Sequence, residues 1–124
     1  MISIQVQYNL KQIGKKGIDI RCLVNDSENE SIDLIQLIRT NTNIVSVSEE
    51  GVFWQDTEVE KRAIADGSVN YSASSYLHMA IDKESVTKND GGTYFCVLSA
   101  KYRIPEKTQK TFLNITGNCI SKLS

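Results

Sequence analysis

The fold of this 124-residue chain is decided by one stretch of its sequence, Asp90-Gly91-Gly92-Thr93-Tyr94-Phe95-Cys96. Alternate residues of a strand point to the same side, so Tyr94 and Cys96 are expected to face inward together. A tyrosine two residues before such a cysteine is typical of the tyrosine corner, in which the hydroxyl bonds to a backbone group slightly upstream. Gly92 permits a tight turn into the strand, and Asp90 can accept hydrogen bonds in that turn or pair with a cation.

A second cysteine completes this pattern. Ile18, Ile20 and Cys22 alternate with polar residues, which predicts a strand whose inner face carries Cys22. Both cysteines would then face one core, and a disulfide from Cys22 to Cys96 would stabilise the fold by about 4–5 kcal/mol in the chain-entropy treatment. The alternative is two buried free thiols in a cytosolic protein. A disulfide favours secretion instead, because cytosolic thiols are kept reduced.

The remaining sequence predicts short strands separated by polar turns. The predicted strands cover residues 4–8, 18–22, 32–39, 44–47, 77–81, 93–98 and 111–116. Helical signal is limited to one turn within 83–90, and the sole proline, Pro105, falls in a loop. Strands that recur about every 8–15 residues, with turns between them, predict an all-β sandwich or barrel.

Composition and charge bear on the class of function. Hydrophobic residues make up 40% of the chain, which is enough for a globular core. Fourteen basic and fifteen acidic residues give a net charge of −1, without the basic excess that predicts nucleic-acid binding. No apolar run approaches the roughly 18 residues that a membrane helix needs, so no membrane insertion is expected. No apolar leader follows Met1, and we expect a domain cut from a longer precursor.

Together, the motif, the paired cysteines and the strand spacing resemble the immunoglobulin superfamily over residues 4–116. The resemblance implies an all-β, immunoglobulin-like two-sheet antiparallel sandwich of the variable type with about nine strands. It implies one domain over residues 1–117 and a tail, 118–124, that leads to a following region. The segment 44–54 looks like the additional strands of a variable-type domain.

The resemblance also assigns roles to single residues. Arg62 looks like the basic residue that pairs with the aspartate of the motif, Asp90. Leu37 stands where the family usually has a tryptophan packed on the disulfide, and Trp54 lies too far along the chain to serve. The last strand, 110–115, lacks the glycine bulge of antigen-receptor variable domains. That departure argues against a receptor-style pairing of two such domains.

A narrower resemblance rests on three phrases of the sequence. They are Ile35-Gln36-Leu37-Ile38-Arg39-Thr40-Asn41, Ile44-Val45-Ser46-Val47 and Ser75-Tyr76-Leu77-His78. They look like the immunoglobulin domains of molluscan fibrinogen-related proteins, which are secreted defence lectins. The resemblance implies a recognition module of a secreted innate-immune protein that binds pathogen-surface glycans or glycoproteins, together with a fibrinogen-like domain. The alternative is the ectodomain of a cell-adhesion or neuronal surface receptor.

Four sequons support a secreted glycoprotein. Their asparagines are Asn25, Asn29, Asn70 and Asn114, any of which could instead be an unmodified surface residue. A third cysteine, Cys119, lies past the last predicted strand. It predicts either a bridge outside the domain or an unpaired thiol, and the unpaired thiol is favoured for this chain.

The sequence offers no pattern of catalytic or metal-binding residues. His78 is the only histidine, so a histidine-dependent triad would have one candidate base and no partner motif. Alternation places His78 opposite Leu77 and Met79, on a face that is expected to be solvated. No spacing of cysteine and histidine matches a zinc site. We therefore expect no enzyme, no metal and no cofactor.

One loop is expected to contact a ligand. Its residues include Lys101, Tyr102, Arg103, Ile104 and Lys107. The loop joins the last two strands, at the end of a variable-type domain where recognition occurs, and loop 25–30 is expected at the same end. Tyrosine and arginine are frequent interface anchors. The expected partner is a protein or glycan on a pathogen or cell surface, in a full-length protein that could be a multimer; the alternative is an ordinary solvated hairpin.

Overall fold

Antiparallel strands dominate the computed structural model of this protein, which describes residues 2–8, 17–26, 31–70, 74–101, 103–116 and 119–123. The strands are β1 (Ile2–Tyr8), β2 (Ile18–Asp26), β3 (Ile32–Arg39), β4 (Thr42–Ser48), β5 (Gly51–Trp54), β6 (Ala63–Ser68), β7 (Tyr76–Ile81), β8 (Gly92–Ala100), β9 (Glu106–Lys107), β10 (Thr111–Thr116) and β11 (Cys119–Leu123). A four-residue helix, α1 (Thr57–Glu60), follows β5. The single turn predicted within 83–90 is two 3₁₀ turns, Lys83–Ser85 and Lys88–Asp90.

These strands form two sheets. The smaller sheet has the order β1-β2-β7-β6, and the larger has the order β11-β10-β8-β3-β4-β5, with β9 also paired to β8. The pairings among the described strands are antiparallel. The predicted all-β, immunoglobulin-like sandwich of the variable type is confirmed. The strand number exceeds the predicted nine, because β9 forms within the predicted loop 101–107 and because β11 is added after the last predicted strand, 111–116.

Alternation along the strands builds the core between the sheets. On β7, Leu77, Met79 and Ile81 are buried, while the residues between them lie on the outer face. Burial of each such side chain contributes about 1.5–3 kcal/mol. β2 and β8 bring Cys22 and Cys96 into this core, where both are fully buried and joined by a disulfide with Cα atoms 6.0 Å apart. The predicted disulfide is therefore confirmed.

Leu37 lies in the same layer of the core as this bridge. It is 1% exposed, and on the larger sheet it pairs directly with Cys96 of β8 and Val45 of β4. Ile35, two residues earlier on β3, is also fully buried and pairs with Val47. Aliphatic side chains thus fill the positions beside the disulfide where a tryptophan would otherwise be expected.

β6 was not predicted from the sequence, because its hydrophobic pattern is inverted. Ala63 and Ala65 are the partly buried residues packed against the core, whereas Ile64 is 70% exposed. An edge strand with small inward residues gives little period-two signal. The helix before it begins at a clear cap, since a carboxylate oxygen of Asp56 accepts hydrogen bonds from the backbone N–H groups of Glu58 and Val59.

The expectation that Cys119 lies past the last strand is corrected. Residues Cys119–Leu123 form β11, which pairs with β10 from Thr116 opposite Cys119 to Phe112 opposite Leu123. The outer edge of β10 would otherwise present unpaired backbone groups, and β11 pairs with them. Most of the predicted tail 118–124 therefore extends the larger sheet, while its continuation into a following region stays a prediction.

Candidate functional site

Two connections lie beside the start of β3 at one end of the sandwich. β3 begins opposite the end of β8, where Ile32 pairs with Ala100. The start of β3 and the hairpin that leaves β8 are therefore neighbours. The turn between β4 and β5, at Glu49 and Glu50, lies at the same end because β4 runs antiparallel to β3. Of the predicted loop 25–30, residues 27–30 lie outside the described part of the chain.

The hairpin between β8 and β9 presents exposed basic and apolar side chains. Lys101, Arg103 and Lys107 are exposed, and Ile104 is 88% exposed. Tyr102, the other predicted ligand residue, lies outside the described residues. A large apolar side chain in this position contributes nothing to the core, as is common for single apolar residues on protein surfaces.

A rigid base supports this hairpin. Val97 of β8 pairs with Lys107 of β9, and the backbone N–H of Thr108 donates to the carbonyl of Cys96 at 3.0 Å. The backbone N–H of Cys96 in turn donates to the Thr108 hydroxyl at 2.9 Å. The hairpin therefore grows directly from the disulfide-bearing strand. Loops held in this way by a scaffold are typical places for binding residues.

The pairing of the last strand shifts by one residue between β9 and β10. Val97 pairs with Lys107, whereas Tyr94 pairs with Thr111, so the β9–β10 side carries one extra residue. An extra residue of this kind is the mark of a β-bulge. The sequence lacks the glycine of the antigen-receptor bulge, yet an irregularity occurs in the same strand, around Thr108–Lys110.

The opposite end of the sandwich holds an ionic cluster around Asp90. This carboxylate is 0% exposed and receives two hydrogen bonds of 2.8 Å from the Arg62 guanidinium. Arg62 also donates to the carbonyl of Ser85 at 2.6 Å. A second guanidinium, Arg39, lies 3.6 Å from Asp90 and 3.3 Å from Asp56. The Arg62–Asp90 pair that the resemblance implied is therefore formed.

Hydrogen bonds within the cluster shift the pKa values of its outer members. The hydrogen bonds that Arg62 donates to Asp90, and then those it donates to Glu58, raise the pKa of Arg62, so its guanidinium stays charged. The exposed carboxyl of Glu58 has a lowered pKa, chiefly because Arg62 donates hydrogen bonds to it. Each buried charge is thus compensated, and the cluster holds α1, the 3₁₀ turn at Asp90 and the end of β3 together.

Tyr94 and Gly92 complete the tyrosine corner predicted from the motif. The Tyr94 hydroxyl donates to the carbonyl of Asp90 at 2.6 Å, and burial raises the pKa of Tyr94 to about 12. Gly92 has a φ of 146°, and a Cβ there would collide with the side chain of Thr40. Asp90, Gly92, Tyr94 and Cys96 of the motif therefore each have a structural role.

His78 lies on the outer face of the smaller sheet, as alternation predicted, but the expectation that this histidine is solvated is wrong. Its side chain is 15% exposed and lies between two carboxylates, with Nε2 2.8 Å from Asp19 and Nδ1 3.0 Å from Asp66. β2 and β6 bring these carboxylates to opposite sides of the ring, a long-range pairing that the sequence does not reveal. Within the described residues, no group of three His, Cys, Asp or Glu is arranged to hold a metal ion.

Three of the four predicted glycosylation asparagines can be located. Asn25, Asn70 and Asn114 are exposed, whereas Asn29 lies outside the described residues. Asn114 is on β10 with its side-chain nitrogen 3.2 Å from the Thr116 hydroxyl. Glycosylation of these asparagines stays a prediction.

The outer face of the larger sheet carries residues that the sequence analysis missed. A shallow depression of about 250 Å³ is lined by Thr40, Asn41, Thr93, Phe95 and Lys110. The Lys110 ammonium lies 5.2 Å from the centroid of the Phe95 ring. The turn between β3 and β4 meets the start of β8 here, so residues far apart in sequence form one surface. Alternation on β8 gave a signal for Phe95, which is outward while Tyr94 and Cys96 are inward.

Comparison with known proteins adds no family to this geometry. In the described part of the chain, no helix is long and apolar enough to cross a membrane. No protein-family model matches the sequence, and a search of curated proteins finds no significant match.

Proposed function

We propose that this chain is an immunoglobulin-superfamily domain that acts as a non-catalytic recognition module of a secreted innate-immune protein. In this proposal it binds glycans or glycoproteins on pathogen surfaces, together with a fibrinogen-like domain, as in the molluscan proteins that its sequence resembles. The observation that carries the proposal is the hairpin between β8 and β9, where exposed cations flank Ile104, which is 88% exposed. The hairpin is anchored to the strand of the buried disulfide.

The chemistry of the hairpin supports binding rather than catalysis. Lys101, Arg103 and Lys107 supply positive charge, which attracts anionic surfaces, and Ile104 supplies apolar contact area. The only histidine is held between two carboxylates on the smaller sheet, away from these cations. The disulfide and the exposed sequons support secretion, because disulfides form and sequons are glycosylated outside the cytosol.

A second candidate function is the ectodomain of a cell-adhesion or neuronal surface receptor. The outer face of the larger sheet favours it, since Phe53 is 48% exposed and Phe112 is 43% exposed on that face. Exposed aromatic side chains on a sheet are suited to a protein partner, whereas glycan binding through the hairpin would not need them.

The test compares two matched double variants for binding to arrayed microbial polysaccharides and to host glycoproteins. Arg103→Ser with Ile104→Ser removes the hairpin contacts, and Lys88→Ser with Asn89→Ser makes the same kind of change at exposed positions at the opposite end. The proposal expects the first variant to lose binding to microbial polysaccharide and the second to keep it. Equal binding by both variants, with both shown to be folded, contradicts the proposal. Loss of binding to host protein alone favours the receptor alternative.

A further inference from the structure

The depression on the outer face of the larger sheet is separate from the hairpin. Lys101 lies at the far end of β8 from Thr93, about 25 Å away at roughly 3.3 Å per strand residue. The depression is shaped by the turn between β3 and β4, in which Thr40 and Asn41 have φ values of 49° and 64°. Left-handed backbone is unfavourable at non-glycine residues, so surrounding contacts must hold this turn.

Hydrogen bonds to β8 hold the turn in place. The backbone N–H of Thr40 donates to the carbonyl of Thr93 at 2.8 Å, and the N–H of Thr93 donates to the Thr40 hydroxyl oxygen at 3.3 Å. Gly92 leaves the space that the Thr40 side chain occupies. The wall of the depression is therefore formed before any ligand arrives.

The lining carries donors and a cation but no acid. The Thr40 hydroxyl accepts a hydrogen bond from the protein, so its own proton is available to a ligand. The side chains of Thr93 and Asn41 add a hydroxyl and an amide. Lys110 supplies the charge, and the ring of Phe95, which is only 6% exposed, holds its ammonium in place through a cation–π contact.

The surrounding face keeps this positive charge uncompensated. β8 and β10 contain no acidic residue, and residues 34–39 of β3 contain none. Lys107 is exposed and pairs with Val97, whose side chain lies on the same outer face as Phe95. Lys107 and Lys110 thus follow one another along the same edge of this face, which suits a ligand with repeated negative charges. Glu106, the exposed acid beside Lys107, pairs with the inward Leu98 and so belongs to the other face of β9.

We propose that the depression binds the carboxylate or sulfate of an acidic sugar on a glycan chain. Lys110 is the counter-ion, Thr40, Thr93 and Asn41 donate hydrogen bonds to the acidic group or the ring hydroxyls, and Lys107 meets the next acidic group. This inference deepens the proposed recognition of glycans and rests on it for the class of ligand, and it adds a second contact, on a surface separate from the hairpin.

Titration of the ¹⁵N-labelled, disulfide-bonded protein tests this site. The probes are 3′-sialyllactose, a sulfated heparin tetrasaccharide and, as the neutral match, lactose. We expect both acidic sugars to shift the amide signals of Thr40, Asn41, Thr93 and Lys110 and lactose to leave them unchanged. Binding should weaken as salt concentration rises, because salt screens exposed charge. Equal shifts with lactose, or no shifts with the acidic sugars, would overturn the proposal.

Variants assign the contact to individual groups. Lys110→Gln should weaken binding of the acidic sugars about tenfold or more, the loss expected for one hydrogen bond from a charged group. Asn41→Gly removes the amide at a position whose left-handed φ suits glycine, and it should also weaken binding. Lys61→Gln, at another exposed lysine, is the matched control and should bind as the unmodified protein does. Unchanged affinity in Lys110→Gln contradicts the assignment.

Two more measurements distinguish the depression from the hairpin and from a lipid-binding surface. The hairpin variant Arg103→Ser with Ile104→Ser should keep the shifts at Thr93 and Lys110. The proposal for the hairpin and the proposal for the depression can therefore fail independently of each other. If the hairpin variant abolishes the shifts, the depression is not the site. If binding to vesicles of anionic phospholipid depends on Lys110 as strongly as sugar binding does, the assignment of the ligand to a sugar is overturned.

Discussion

Replacing Arg62 with methionine tests how much the buried ionic cluster stabilises the domain. Asp90 is 0% exposed, and Arg62 supplies two of its three 2.8 Å hydrogen bonds. After the substitution, Asp90 keeps the backbone N–H of Thr87 at 2.8 Å and the more distant Arg39 at 3.6 Å. We expect the free energy of unfolding to fall by about 3–5 kcal/mol, the usual cost of leaving a buried charge without its main partner.

Asp90→Asn removes the charge from the other side of the pair. Its amide keeps the shape of the carboxylate, and Arg62 and Arg39, with side chains 17% and 16% exposed, can still reach water. We expect a smaller loss, about 1.5–3 kcal/mol, because hydrogen bonds to a charged group are lost without burying an unpaired charge. The double variant Arg62→Met with Asp90→Asn should lose no more unfolding free energy than Arg62→Met alone. Its loss should therefore be about 2 kcal/mol smaller than the sum of the two single losses.

The assay is equilibrium urea unfolding of the oxidised protein, followed by the fluorescence of Trp54. Lys61→Met changes the exposed neighbour of Arg62 in the same way and should stay within about 0.5 kcal/mol of the unmodified protein. The dependence of unfolding free energy on urea concentration should be equal in all variants. A loss below about 1 kcal/mol in Arg62→Met, or additive single effects, would show that Arg39 and Thr87 satisfy Asp90 without Arg62.

Three other predictions concern the core. Non-reducing peptide mapping should find Cys22 linked to Cys96, whereas Cys119 should form no bridge within the domain. Reduction of the disulfide should lower the free energy of unfolding by about 4–5 kcal/mol. A bridge from Cys119 to either of the other cysteines would contradict the strand assignment. Leu37→Ala should cost about 2–5 kcal/mol in urea unfolding, whereas a cost below about 1 kcal/mol would mean that another residue fills the space beside the bridge. Burial raises the pKa of Tyr94 to about 12 from an unfolded value near 10, so its contribution to stability is full below pH 10 and falls by about 2 kcal/mol as pH rises to 12. Brief alkaline unfolding measurements should show this decline, and Tyr94→Phe should show a smaller one, because the raised pKa values of Tyr8 and Tyr76 remain.

The motif around Cys96 could be predicted well because its signals are local. Parity along one strand places Tyr94 and Cys96 inward, and the tyrosine corner spans only the five residues from Asp90 to Tyr94. Residues 18–22 of β2 and 77–81 of β7 were equally clear, since their inward residues are apolar while their outward residues are polar or small. Where a strand has one buried face and one polar face, period-two alternation carries most of the information.

Features that depend on contacts between distant strands could not be predicted. His78 meets Asp19 and Asp66 only because β7 lies between β2 and β6. β6 has alanines inward and Ile64 outward, so alternation gives the wrong face. The depression on the larger sheet likewise requires Lys110 to lie over Phe95, a contact set by the shifted pairing of β10 with β8. A single sequence shows the local propensity of each segment and the alternation along each strand, but it does not show which distant strands pair.

The arrangement of the two ends makes stability and binding separable by experiment. Arg62 and Asp90 lie at one end among buried partners, so substitutions there should cost several kcal/mol. Arg103 and Ile104 lie at the other end beyond the last paired residues of the hairpin, and exposed substitutions there should change stability by no more than about 0.5 kcal/mol. A hairpin variant that loses binding therefore remains folded, and its loss can be attributed to the missing contacts. A variant of the ionic cluster that loses binding must first be shown to be folded at the assay temperature.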